Sequence, residues 1–83
     1  MSKRALFEAK RSGNVPLHYV IEVSVNDRTN PDEIKAVALD ALTRFVDTAV
    51  PEDLTPITGE QLAKMQVEKQ LSLHDTEVFR VIS

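Results

Sequence analysis

One stretch limits what this chain can become: residues 30–50, NPDEIKAVALDALTRFVDTAV. Its apolar residues Ile34, Val37, Ala38, Ala41, Leu42, Phe45, Val46 and Ala49 recur at helical spacing, which puts them on one face. Asp40, Thr43, Arg44 and Asp47 fill much of the other side. The start is marked twice. Asn30 is a good N-cap, because its side-chain oxygen accepts from the free amides of the first turn. Pro31 follows at the first helical position, where a missing N–H costs nothing. Glu33 has capping-box spacing from Asn30, and together with Asp32 it complements the positive helix end. Pro51 stops the run, since it pushes Val50 out of the α region. The pattern predicts a helix from Pro31 to about Val50, roughly 30 Å long. Such a stripe either seals a core or forms a groove-binding or dimerisation face, and in a short chain the core reading is preferred.

The chain has 83 residues and no cysteine. That length suits one small domain, 1–83, with a modest core whose stability a partner or a second copy would raise. The lack of cysteine excludes disulfides, thiolate catalysis and Cys-based zinc sites, and is compatible with a reducing compartment. No apolar run approaches the roughly 18 residues of a membrane span. Ser2, Lys3 and Arg4 lead into no signal-peptide core, so the expectation is a soluble cytoplasmic protein with no membrane association.

Residues 2–12 are ambiguous. Ala5, Phe7 and Ala9 alternate as in a strand, whereas Leu6, Ala9 and Lys10 suit a short helix; the strand reading, paired as a hairpin across the turn at Gly13-Asn14, is favoured. Leu17–Val25 is the clearest strand, with Leu17, Tyr19, Ile21, Val23 and Val25 alternating toward one face. Residues 26–29 make a polar turn into the long helix. After Pro51, the second proline, Pro56, predicts an irregular connection over 52–57. Thr58 and Gln61 resemble a capping box opening a short helix over about 59–70, with Leu62, Met65 and Val67 as its apolar content. Residues 71–75 break it. Thr76–Ile82 reads as a final strand dense in Val78, Phe79, Val81 and Ile82.

The expected fold class is α+β in two layers. A small sheet of two or three strands, antiparallel or mixed, is packed by one long and one short helix in the order (β)βααβ. Residues 1–13 are expected as a basic N-terminal segment, either flexible or an edge strand. The last strand is apolar on both faces, so it is either central or paired across a subunit boundary in a homodimer.

Most chemistries find no foothold. Gly13 and Gly59 are the only glycines, so there is neither a P-loop nor a dinucleotide fingerprint. No nucleophile-elbow pattern surrounds any serine. His18 and His74 lack helical-spaced partners, and His74-Asp75 is the one adjacent ligand pair, so a metal site is not expected. Asp32-Glu33 is explained by helix capping and Glu52-Asp53 by a solvated loop. No catalytic residue, metal or cofactor is assigned, and the chain is read as a non-enzyme.

Charge is segregated. The net charge is −3, yet Lys3, Arg4, Lys10 and Arg11 against Glu8 give the first 13 residues +3 and leave −6 on the rest. No basic residue lies between Phe45 and Ala63, where Asp47, Glu52, Asp53 and Glu60 accumulate. Such asymmetry speaks to partners. The basic segment, the turn at residues 13–16 and the aromatic-containing strand are similar to the start of double-stranded-RNA-binding domains, but no lysine-rich terminal helix follows. A strand followed by two helices resembles ribbon-helix-helix repressors, but Glu22 faces outward, the first helix is too long and a further strand follows. Neither family is assigned.

The functional expectation is therefore a protein-binding module. It is a small adaptor or inhibitor that occupies a surface of a larger protein or complex through Asp47, Glu52, Asp53 and Glu60. Compact acidic proteins of this size are frequent among phage-encoded inhibitors, an analogy of size and fold only. The alternative is a nucleic-acid-binding module using Lys3, Arg4, Lys10 and Arg11, whose binding would fall steeply with salt.

Overall fold

The computed structural model describes residues 3–14, 16–25, 30–73 and 75–82. The expected turn at 26–29 and His74 lie outside the described residues. Five strands form one sheet: β1 (Arg4–Arg11), β2 (Leu17–Ser24), β3 (Leu54–Ile57), β4 (Val67–Leu73) and β5 (Thr76–Val81). Two helices accompany them, α1 (Pro31–Thr43) and α2 (Gly59–Lys64). The spatial order is β3-β1-β2-β5-β4, with every neighbouring pair antiparallel. The expected sheet of two or three strands is thus corrected to five, because two weakly patterned stretches also extend.

The local rules explain the first half. Gly13 holds φ at 132°, a conformation that L side chains rarely adopt, and it turns the chain so that β1 and β2 pair in register from Arg4↔Ser24 to Arg11↔Leu17. β1 lies between β2 and β3, so residues 1–13, read as flexible or as an edge strand, contribute an interior strand. Asn30 caps α1 by accepting from the Asp32 amide at 2.9 Å. The core is one cluster: Phe7, Ala9, Leu17, Ile21, Val23 and Val78 from the sheet, Ala38, Ala41 and Leu42 from α1, and Leu54.

α1 ends at Thr43, seven residues short of the expected Val50. The apolar residues beyond it keep their burial in another form. Val46 and Ala49 still pack against the core, but through turns in which the Phe45 and Val46 amides reach back to the Leu42 carbonyl. Phe45 stacks on Tyr19 of β2 with ring centroids 6.3 Å apart. A one-turn 3-10 helix, Pro51–Asp53, then leads directly into β3. Pro56 misled the sequence reading here. β3 is a four-residue edge strand, where a proline is tolerated because one side of the backbone has no ladder to join.

The second correction is at the other edge. α2 stops at Lys64 instead of Gln70, and Val67–Leu73 forms β4 against β5. The chain between Ile57 and Val67 therefore passes from one edge of the sheet to the other. Only nine residues, 58–66, carry it across. Leu62 and Met65 are half-buried without joining the main core, and Val20, whose register places it on the face opposite α1, is 0% exposed yet also outside that core. A strap lying over Val20 accounts for both.

Candidate interaction surface

The four expected cations do not form a patch. Arg4 and Lys10 point to the face opposite α1 from opposite ends of β1, whereas Arg11 alternates to the α1 face. Arg4 is paired inward, its Nε 3.4 Å from Glu22 Oε1 and its Nη1 3.6 Å from Glu77 Oε2. Arg11 is more firmly held. Its Nη2 donates to Asp53 Oδ2 at 2.6 Å and to the Thr48 carbonyl at 2.8 Å, while Nη1 donates to Thr48 Oγ1 at 3.0 Å. Only Lys3 and Lys10 of the four remain as exposed, unpaired cations among the described residues.

The acidic residues divide as well. Asp53 is a structural group: its Oδ2 accepts from Arg11 and, at 3.2 Å, from the Val50 amide. Those bonds, the Arg11 one foremost, hold its carboxyl below the usual carboxylate range. Glu60 sits in the first turn of α2, on a different element from the others. Asp47 and Glu52 are exposed and make no ion pair with a described residue. They flank the α1–β3 turn, on which Phe45 and Val50 are 37% and 43% exposed. Arg11 grips that turn at both Thr48 and Asp53, so its shape is fixed from β1.

The face opposite α1 carries a polar row that no sequence spacing announces. Glu22 and Glu77 are directly opposite in the β2–β5 register. Arg4 flanks them on one side and Lys69 on the other, with Lys69 Nζ 2.9 Å from Glu77 Oε1. Burial, followed by the neighbouring Glu77 charge and hydrogen bond, outweighs Arg4 and pushes the Glu22 carboxyl up. Hydrogen bonding from Lys69 draws Glu77 down. Nearby, His18 Nε2 and Glu8 Oε2 are 2.6 Å apart. Among the described residues no three His, Asp or Glu side chains gather as a metal site.

Both sheet edges resist strand addition. β3 is short and bears Pro56, and β4 carries a register shift between Lys69 and Leu71 with an exposed lysine beside it. Of the two readings of Thr76–Ile82, central in the sheet or paired across a subunit boundary, β5 takes the central place, between β2 and β4. No helix of the described residues is long and apolar enough to cross a membrane. No protein-family model, curated protein or solved structure matches this chain.

Proposed function

We propose that the chain is a non-enzymatic protein-binding module, a small adaptor or inhibitor, that meets a basic surface of a larger protein through the turn at residues 44–53. One observation carries this reading. Phe45 and Val50 stay exposed beside Asp47 and Glu52, which make no ion pair with a described residue, on a turn that Arg11 pre-shapes. Exposed apolar groups rimmed by unpaired charge are typical of a contact surface, and pre-shaping lowers the ordering cost of binding. The nucleic-acid alternative loses ground, because Arg4 and Arg11 are engaged internally and the cluster is split over two faces.

The test uses the tagged full-length protein to isolate its partner from the native cell, with and without nuclease. The purified pair is then compared with the double variant Asp47→Lys, Glu52→Lys. The expected outcome is nuclease-resistant recovery and an association rate about tenfold slower in the variant, with a flatter salt dependence. An unchanged on-rate would overturn the assignment of this turn. Recovery that needs nucleic acid would move the function to Lys3, Arg4, Lys10 and Arg11.

A further inference from the structure

The helical stripe that opens the sequence runs on to Ala49, yet α1 stops at Thr43. Nothing local ends it there. Residues 44–50 contain neither glycine nor proline, and Arg44, the C-cap, still has helical angles, φ −72° and ψ −17°. No glycine supplies the left-handed cap that closes many helices. The Val46 amide even keeps the helical bond to the Leu42 carbonyl, at 3.0 Å, before the chain leaves the helical path. What diverts it is distant in sequence. From β1, Arg11 donates to the Thr48 carbonyl and hydroxyl and, through Nε at 3.2 Å and Nη2 at 2.6 Å, to Asp53 Oδ2. That same oxygen accepts from the Val50 amide. The diversion leaves an apolar ring uncovered. Phe45 lies four residues after Ala41 and three after Leu42, on the face that α1 buries, yet it is 37% exposed.

We propose that residues 44–50 have two folded states, a turn and a continuation of α1, and that Arg11 is the latch that selects between them. Latched, the segment displays Phe45 and Val50 beside Asp47 and Glu52. Released, it extends α1, and the amides of residues 47–50 donate to the carbonyls of residues 43–46. In that helix Phe45 joins Ala41 and Leu42 against the sheet, and Asp47 falls on the opposite side. The contact surface is then dismantled. Each state has what the other lacks. The helix gains backbone bonds, but Val46, Thr48 and Val50 are β-branched and lower its propensity. The turn gives up those bonds for charge-assisted ones from Arg11. Pro51 sets the limit of the extension at Val50. A partner that grips the turn selects the latched state, and by linkage it tightens Arg11 on Asp53. The inference rests on the reading of this turn as the contact surface and adds how that surface is switched.

The test compares the full-length wild type with Arg11→Gln and with the double variant Arg11→Gln, Asp53→Asn, all without a partner. The double variant removes the latch without leaving the Asp53 carboxylate unpaired. The readouts are the ¹³Cα shifts and amide exchange of residues 44–49, with the β1, β2 and β5 amides reporting that the sheet is intact. In both variants the shifts are expected to move to the helical range shown by residues 34–42. The amides of residues 47–49 should exchange about tenfold more slowly than in the wild type. Unchanged shifts would show that Arg11 is no latch, and shifts of an unstructured chain would show that helix is no second state. Either result overturns the inference. Loss of the sheet in both variants would overturn it too, because the turn would then have no folded alternative. The contact reading fails separately. If Asp47→Lys, Glu52→Lys leaves association with the native partner unchanged while the Arg11 variants turn helical, the switch stands and the contact assignment falls. If the charge variant slows association while the Arg11 variants keep the turn, the reverse holds.

Discussion

Glu22 and Glu77 face each other across β2 and β5, and their surroundings separate them. Glu22 is the more deeply covered, and its carboxyl is raised, so the folded state favours its protonated form. A raised folded value means that its contribution to stability is complete below the unfolded value and is lost as pH rises through the folded one. Glu77, lowered by Lys69, contributes in the opposite sense, above its unfolded value. Glu22→Gln keeps a hydrogen-bond donor beside Glu77 and removes the half-buried charge. We therefore expect equal or greater resistance to urea at neutral pH, and loss of the fall in stability above the usual glutamate range. Parallel pH profiles for variant and wild type would show that Glu22 does not carry this cost. None of this could be read from spacing. Arg11 likewise looked like a solvated cation, because its partner Asp53 is 42 residues away and only the fold brings them together.

At the scale of elements, what could be read was what is local. The cap at Asn30, the alternation in β2 and the Thr58–Gln61 box depend on near neighbours. The box forms reciprocally, with the Gln61 amide donating to Thr58 Oγ1 at 3.1 Å and the Thr58 amide to Gln61 Oε1 at 2.8 Å. Thr58→Ala should cost about 1 kcal/mol, readable in urea unfolding, with faster amide exchange in α2 than in β2. Exchange unchanged in α2 would mean that packing, not the cap, holds this short helix. What stayed hidden was set by distant partners. The end of α1 is decided by Arg11 and Tyr19 drawing the following turn onto the sheet. β4 lost its period because the register shift at Lys69–Leu71 turns Val67 to one face and Leu71 and Leu73 to the other.

For the whole molecule, two local hairpins, β1–β2 and β4–β5, are joined by the long-range β2–β5 pairing, Tyr19↔Arg80 among its residues. α1 lies over that seam, and Leu42, fully buried, is its largest core side chain. Leu42→Ala should cost about 2–5 kcal/mol. A chain of this length has only about 4–12 kcal/mol in all. Substantial unfolding in water, or a much lower urea midpoint, is expected; an unmoved midpoint would place the core elsewhere.

The nine residues between Ile57 and Val67 tie the two outermost strands to each other, which makes the molecule unequal in its tolerance of length. A tie between two fixed edges can be lengthened freely but shortened only so far. Inserting a Gly-Ser pair after Lys64 should leave the amide spectrum of the sheet almost unchanged, since longer closure costs only tenths of a kcal/mol. Deleting two residues from the same place should drag β4 along β5 or pull β3 from β1, visible as lost or shifted cross-strand amide contacts at one edge. Indifference to both changes would mean that the connection has slack after all.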